Sequence, residues 1–147
     1  MRSMMESIIF KKAEEKDTAV IKSVTRKAFL GYAQEIRKQD QVAALHETDA
    51  HILSDIRNKH VYICEVDGQV AGAVRFEVLD KNIAYLSRLA VDPDCQSLGV
   101  GGLLLEKVRR ECSALGVRAI ALHTASRMRA SVAFYLKKRL LHPFYHP

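Results

Sequence analysis

The apolar positions of this chain change period several times, alternating every second residue in some stretches and recurring every three to four in others. Residues 8–11, Ile-Ile-Phe-Lys, predict a short first strand. Asp17 then stands as the cap of a helix in which Val20, Val24, Ala28 and Phe29 recur on one face. A second helix is predicted over residues 48–58, with Ile52, Leu53 and Ile56 sharing a face, while residues 31–46 between the two are polar and carry no clear period.

The middle of the chain reads as strands. Residues 60–66 and 69–79 alternate and are joined by Asp67-Gly68, a dipeptide that accepts the positive φ angles of a tight hairpin. Asp80-Lys81-Asn82 makes the next turn, and residues 83–91 form a third central strand that Asp92-Pro93 ends, because proline has no amide hydrogen for the ladder. From Gly99 the period becomes helical, with Val100, Leu104, Val108, Cys112 and Leu115 in one stripe and Gly116 as the stop. Residues 118–124 then predict a strand and residues 129–138 a last helix.

A meander of antiparallel strands followed by strand, helix, strand, helix implies one parallel pair at the crossover, and so a mixed sheet. The fold class is α+β, a mixed α/β arrangement. With 147 residues, 48% apolar and 27% charged, the chain has the size and composition of one globular domain spanning residues 1–147.

No apolar run approaches the ~20 residues that cross a bilayer, and the start Met1-Arg2-Ser3-Met4-Met5-Glu6 lacks the pattern of a secretory signal. Both point to the cytoplasm and to no membrane partner. The three cysteines, Cys64, Cys95 and Cys112, are odd in number and lack metal-ligand spacing, which disfavours disulfides and structural zinc. Cys64 and Cys112 fall in apolar segments as core residues, and Cys95 lies in a loop. A formal charge of +6 favours an anionic partner. The basic residues are scattered, with no zinc finger, aromatic RNA-binding signature or basic arm, so a phosphate-rich small molecule is favoured over nucleic acid.

The most informative segment is Leu89-Ala90-Val91-Asp92-Pro93-Asp94-Cys95-Gln96-Ser97-Leu98-Gly99-Val100-Gly101-Gly102. A strand ends, a loop follows, and three glycines open a long helix. Glycine admits close approach to the backbone, the first amides of a helix lack intrahelical acceptors, and the helix dipole is positive there, so the arrangement suits phosphate oxygens. The plainer reading, that the glycines only permit a turn, stands beside it. Two rival phosphate motifs are excluded by spacing: there is no Gly-Lys-Ser/Thr and no Gly-x-Gly-x-x-Gly after an early strand.

The strand ending Leu89-Ala90-Val91, then Asp-Pro, then Gln96-x-x-Gly99-x-Gly101, resembles the acetyl-CoA signature of the GNAT superfamily of N-acetyltransferases. The order of elements from Ile8 to Lys138 is similar as well. The resemblance implies that Gln96, Ser97, Leu98, Gly99, Val100, Gly101 and Gly102 form the loop holding the CoA pyrophosphate. It implies too that the edge of Leu89, Ala90 and Val91, broken by a bulge, pairs with the pantetheine arm. Ser97 and Leu98 depart from the glycine and basic residue frequent there, which removes some electrostatic attraction but no backbone amide.

Ala133-Phe134-Tyr135-Leu136-Lys137-Lys138 resembles the family's second signature, which makes Tyr135 the general acid for the leaving thiolate. Amphipathic-helix aromatics in a core are the plainer reading. The match departs at Met128, Ser131 and Arg139-Leu140, and the short tail with Pro143 and Pro147 leaves room for little β structure. A truncated set of C-terminal strands is therefore expected, with a homodimer covering the edge left open.

The function so implied is transfer of the acetyl group of acetyl-CoA, with no metal, to a primary amine of a small molecule or protein by direct attack on the thioester. The alternative is a non-catalytic acyl-CoA-binding or regulatory module. Glu65, Glu77 and His123 all have the chemistry of a general base, and Glu35, Asp40, Glu47 and Asp49 that of attracting a cationic amine, although a solvated acidic face explains the last four equally well.

Overall fold

A computed structural model describes residues 7–36, 44–79, 82–123, 131–135 and 142–145. In chain order they form β1 (Ile8–Lys12), a 3₁₀ turn (Glu15–Asp17), α1 (Thr18–Ile36), α2 (Asp49–Asn58), β2 (His60–Val66), β3 (Gln69–Val78), β4 (Ile83–Leu86), β5 (Ala90–Val91), a second 3₁₀ turn (Pro93–Leu98), α3 (Val100–Ala114), β6 (Ala119–His123), β7 (Ser131–Tyr135) and β8 (His142–Tyr145). The sheet runs β1-β2-β3-β4-β6-β7-β8, with β5 paired to β3. Every pair is antiparallel except β4 with β6, the two strands joined through the α3 crossover. The sheet is mixed, as the alternation of periods predicts.

Local chemistry accounts for the boundaries. Asp67 and Gly68 take φ of 52° and 86° in the β2–β3 hairpin, and Gly116 takes 83° beyond α3. The Thr48 hydroxyl accepts the His51 amide at 3.1 Å and caps α2. Asp17 accepts the Glu14 amide at 2.8 Å, closing the 3₁₀ turn that leads into α1.

Period-two alternation divides the core in two. Val61, Ile63 and Ala73 face Ile21, Val24 and Ile52 of α1 and α2 on one side of the sheet. Tyr62, Cys64, Val74, Phe76, Ala84 and Leu86 face Val100, Leu104, Val108 and Cys112 of α3 on the other. Each large aliphatic side chain so buried contributes about 1.5–3 kcal/mol. Leu115, expected in the α3 stripe, lies past the last helical residue and is exposed.

The C-terminal expectations are corrected. Residues 131–135, expected in a helix, are strand β7, antiparallel to β6 with Ser131 opposite His123 and Tyr135 opposite Ala119. Ser131-Val132-Ala133-Phe134-Tyr135 also alternates by two, and pairing with the exposed side of β6 satisfies its backbone as a helix would have done internally. The tail, expected to hold little β structure, contributes β8, with Pro143 opposite Phe134. Among the described residues β8 ends the strand path, and a strand in that place tolerates proline because its other side meets no ladder partner there. β7 covers the edge of β6 that a second copy was expected to cover. Among the described residues no helix is long and apolar enough to cross a membrane.

Candidate active site

The site begins as a slip in one strand. Phe76 pairs with Leu86 and Ala73 with Ala90, so three steps along β3 match four along its neighbour. The extra residue is a β-bulge at Ser87, Arg88 and Leu89, held at its start by the Ser87 amide donating to the Arg75 carbonyl at 2.9 Å. The strand expected over residues 83–91 is therefore two pieces, broken where the resemblance implies a bulge. β6 stays in register with β4 through Leu86↔Leu122, whereas β5 pairs with β3 alone. The other edge of β5 carries main-chain donors and acceptors that no strand among the described residues takes up.

The loop after β5 is set by its own residues. The Asp92 amide donates to the Ala71 carbonyl at 2.8 Å, and its carboxylate accepts the Asp94 amide at 2.9 Å. Pro93 opens the 3₁₀ turn. Gly99 takes φ of 78°, a left-handed conformation that favours glycine, and its carbonyl accepts the Leu103 amide at 3.1 Å. The amides of Val100, Gly101 and Gly102 thus precede the first helical bond of α3, and no side-chain hydrogen bond caps Gly99.

Space is left beside those amides. A Cβ at Gly99 or Gly102 would meet nothing within 4 Å, and one at Gly101 would meet only Val91 Cγ2 at 3.6 Å. Gly72 has the opposite role: a Cβ there would lie 2.9 Å from Leu104 Cδ1, 3.0 Å from the Ala90 carbonyl and 3.0 Å from Val100 Cγ1. Its bare Cα lets the start of α3 sit down on β3 and β5. On the opposite face, Lys27 of α1 reaches Asp92 at 3.4 Å.

A buried ionic cluster lies under the bulge, on the α2 face. The Arg75 side chain is 1% exposed. It donates from Nη1 to Glu47 Oε2 at 2.6 Å and to Asp55 Oδ2 at 2.9 Å, and from Nη2 to Glu47 Oε1 at 2.9 Å. His51 Nε2 lies 3.1 Å from Glu47, Lys59 lies 3.6 Å from Asp55, and Arg88 Nε lies 3.5 Å from Glu47. Glu47, His51 and Asp55 have the mutual spacing of a metal triad, but the guanidinium already holds both carboxylates. The sequence reading missed this cluster. Its legible signal was a lone arginine among the apolar residues of β3, with acids four residues either side of His51.

Several expected residues are committed elsewhere. Glu65 pairs with Lys11 at 3.2 Å, Glu77 with Lys59 at 3.3 Å and Asp49 with Lys22 at 3.1 Å. Glu47 serves Arg75, Glu35 lies in the last turns of α1, and Asp40 and Met128 lie outside the described residues. The main chain of His123 follows Leu122, the partner of Leu86, and so stands level with Ser87 across the mouth of the slip. Tyr135, opposite Ala119 and hence level with Ile83, stands at the other end, about 20 Å along the strands from Ala90. Residues 96–102 and the Leu89–Val91 edge are brought together; Tyr135 is not brought to them. Burial pushes the Cys64 thiol up to about 11 and that of Cys112 to about 12. Cys95, on the loop, is raised by partial burial and then by Asp92 and Asp94.

Residues 29–140 match the acetyltransferase (GNAT) family model. No curated protein sequence matches the chain. Among solved structures it is similar to the PaiA N-acetyltransferase of Thermoplasma acidophilum in complex with coenzyme A, with a TM-score of 0.76 at 15% identity over 95% of this chain and 99% of that one. It is also similar to a GCN5-related N-acetyltransferase from Rhodopseudomonas palustris, with a TM-score of 0.71 at 12% identity over 99% and 98%. At these identities the likeness establishes the fold. The family match covers more than two thirds of the chain, which therefore belongs to the acetyltransferase (GNAT) family and is an acyltransferase.

Proposed function

We propose that the chain transfers the acetyl group of acetyl-CoA to a primary amine of a small molecule or protein, by direct attack of the amine on the thioester. The observation that carries this reading is the adjacency of two unsatisfied backbone surfaces: the open edge of β5 and the uncapped start of α3. A diphosphate and an amide-bearing arm together need such a pair, and the open space at Gly99 and Gly102 admits them.

In this reading Gln96, Ser97, Leu98, Gly99, Val100, Gly101 and Gly102 form the pyrophosphate loop, in which the amides of Val100, Gly101 and Gly102 donate to the phosphate oxygens and the 3₁₀ turn, with the Gly99 amide on the Gln96 carbonyl at 3.3 Å, holds them in place. Leu89, Ala90 and Val91 pair with the arm as a neighbouring strand would. The arm then ends at the bulge, where amides turned out of the ladder are placed to stabilise the oxyanion of the attacked carbonyl. The nucleophile must be a neutral amine, so a base takes its proton directly or through water. Glu65 and Glu77 are held by lysines, and we assign this step to His123, whose main chain stands level with Ser87. The resemblance implies Tyr135 as proton donor to the leaving thiolate; its register on β7 argues instead for water reaching the open groove.

Release of CoA thiol from acetyl-CoA, followed over a panel of primary amines and amine-bearing peptides, tests the proposal. Turnover with at least one amine, dependent on His123, is expected. Binding of acetyl-CoA with no turnover on any acceptor would instead mark a binding module.

A further inference from the structure

We propose that Arg88 recognises a carboxylate on the acceptor, so that the amine acetylated is that of an amino acid rather than a polyamine. This inference rests on the acetyl-transfer reading and names the acceptor class for the same site.

Arg88 is the middle residue of the bulge, one position beyond the Ser87 amide that Arg75 anchors. Its side chain lies toward the α2 face, near Glu47, whereas the start of α3 packs on the opposite face. A diphosphate bound at α3 leaves the α1 and α2 face for the incoming amine, and Arg88 stands on that approach.

The guanidinium is short of acceptors. Among the described residues Nε is buried without a hydrogen-bond partner, and Nη1 donates to the Ser87 carbonyl at a long 3.4 Å. Glu47 Oε2 lies within ion-pair range at 3.5 Å but without hydrogen-bond geometry, because Arg75 draws both Glu47 oxygens to itself at 2.6 and 2.9 Å. Arginine carries five donors in a planar fork that matches a carboxylate, and 23% of this side chain remains exposed to meet one.

Among the described side chains, the candidate carboxylates that would recognise a second positive charge are already paired. Glu47 and Asp55 hold Arg75, Asp49 holds Lys22, and Glu77 holds Lys59. A diamine would bring its distal ammonium toward Arg88 and be repelled, whereas an amino acid would bring its carboxylate.

The test is calorimetry on the protein–CoA complex, titrated with the common amino acids and, for each, its carboxamide, using wild type, Arg88→Gln and Arg88→Lys. At least one amino acid is expected to bind roughly tenfold or more tightly than its carboxamide, as a charge-assisted pair does. The gap should close in Arg88→Gln, with Arg88→Lys recovering only part because an ammonium lacks the fork. Equal affinity for acid and amide, no amino acid bound at millimolar concentration, or a gap that survives in Arg88→Gln would overturn the proposal. CoA is titrated first: failure of CoA itself to bind would defeat the acetyl-transfer reading and this inference with it, whereas CoA binding without acid preference defeats this inference alone.

Discussion

The main-chain carbonyl of Arg75 accepts the amide of Ser87 at 2.9 Å, immediately before the strand slips by one residue against β3. The same residue's side chain is buried between Glu47 and Asp55. The start of the bulge and the α2 wall of the groove therefore share one residue.

Removing one member of that cluster should be costly. Glu47→Ala leaves the buried Arg75 guanidinium with Asp55 alone, and breaking a buried pair in this way typically costs about 3–5 kcal/mol. Chemical denaturation is expected to show a loss of that size, whereas Glu15→Ala, which breaks an exposed pair with Arg57, should fall within experimental error. Equal effects would mean that the cluster is no more than a surface network.

Gly72→Ala should weaken both fold and site. The added methyl would press on Leu104 Cδ1 at 2.9 Å and on the Ala90 carbonyl at 3.0 Å, and overpacking of this kind costs about 1–3 kcal/mol. Because α3 and β5 must separate to relieve it, acetyl-CoA affinity should fall along with the thermal midpoint. A variant of wild-type stability and affinity would contradict the close packing of α3 on β3 and β5.

The proton-transfer residues separate by their place in the sheet. With its main chain level with the bulge, His123→Ala is expected to lower kcat about a hundredfold, the usual worth of a general base. Tyr135→Phe, from the far end of the β6–β7 ladder, should change kcat by less than about threefold, far short of what losing a general acid costs. A hundredfold loss at Tyr135 would contradict the β7 register and restore the role that the family resemblance implies.

The buried thiols make stability fall at alkaline pH. A thiol whose folded pKa is raised contributes fully below its unfolded value near 9 and loses that contribution as pH rises toward about 11 for Cys64 and about 12 for Cys112. In that window each should cost about 1.4 kcal/mol per pH unit. Urea midpoints from neutral pH upward should therefore decline above pH 9, less steeply in Cys112→Ala. Alkylation of the native protein should mark Cys95 first, and acetyl-CoA should slow it if the loop holds the diphosphate.

The elements between Asp67 and Gly116 were readable because each is written in local chemistry: a hairpin dipeptide, a helix stripe, an Asp-Pro stop and a run of glycines. The bulge came from the resemblance, since a one-residue slip leaves no mark in the alternation of residues 83–91. Residues 131–135 misled because a five-residue segment with Val132 and Phe134 fits either period, and only the free edge of β6 decides in favour of a strand. The Arg75 cluster escaped because its members lie 20 and 28 residues apart along the chain, so nothing local pairs them. The acids read as open to a cationic amine turned out, at Glu47 and Asp49, to be held by Arg75 and Lys22.

The free amides at the start of α3 are tested most directly by calorimetry of acetyl-CoA binding to wild type and to Gly102→Glu. A side chain at Gly102 meets nothing within 4 Å, and an acid in the first turn favours the helix dipole, so this variant should fold with an unchanged or raised thermal midpoint. Its carboxylate would nonetheless stand where the diphosphate binds. Binding by wild type, with affinity at least about tenfold weaker in a folded Gly102→Glu, is the expected result, since repulsion of an anion at close range costs more than about 1.4 kcal/mol. Equal affinity in the two proteins would contradict it.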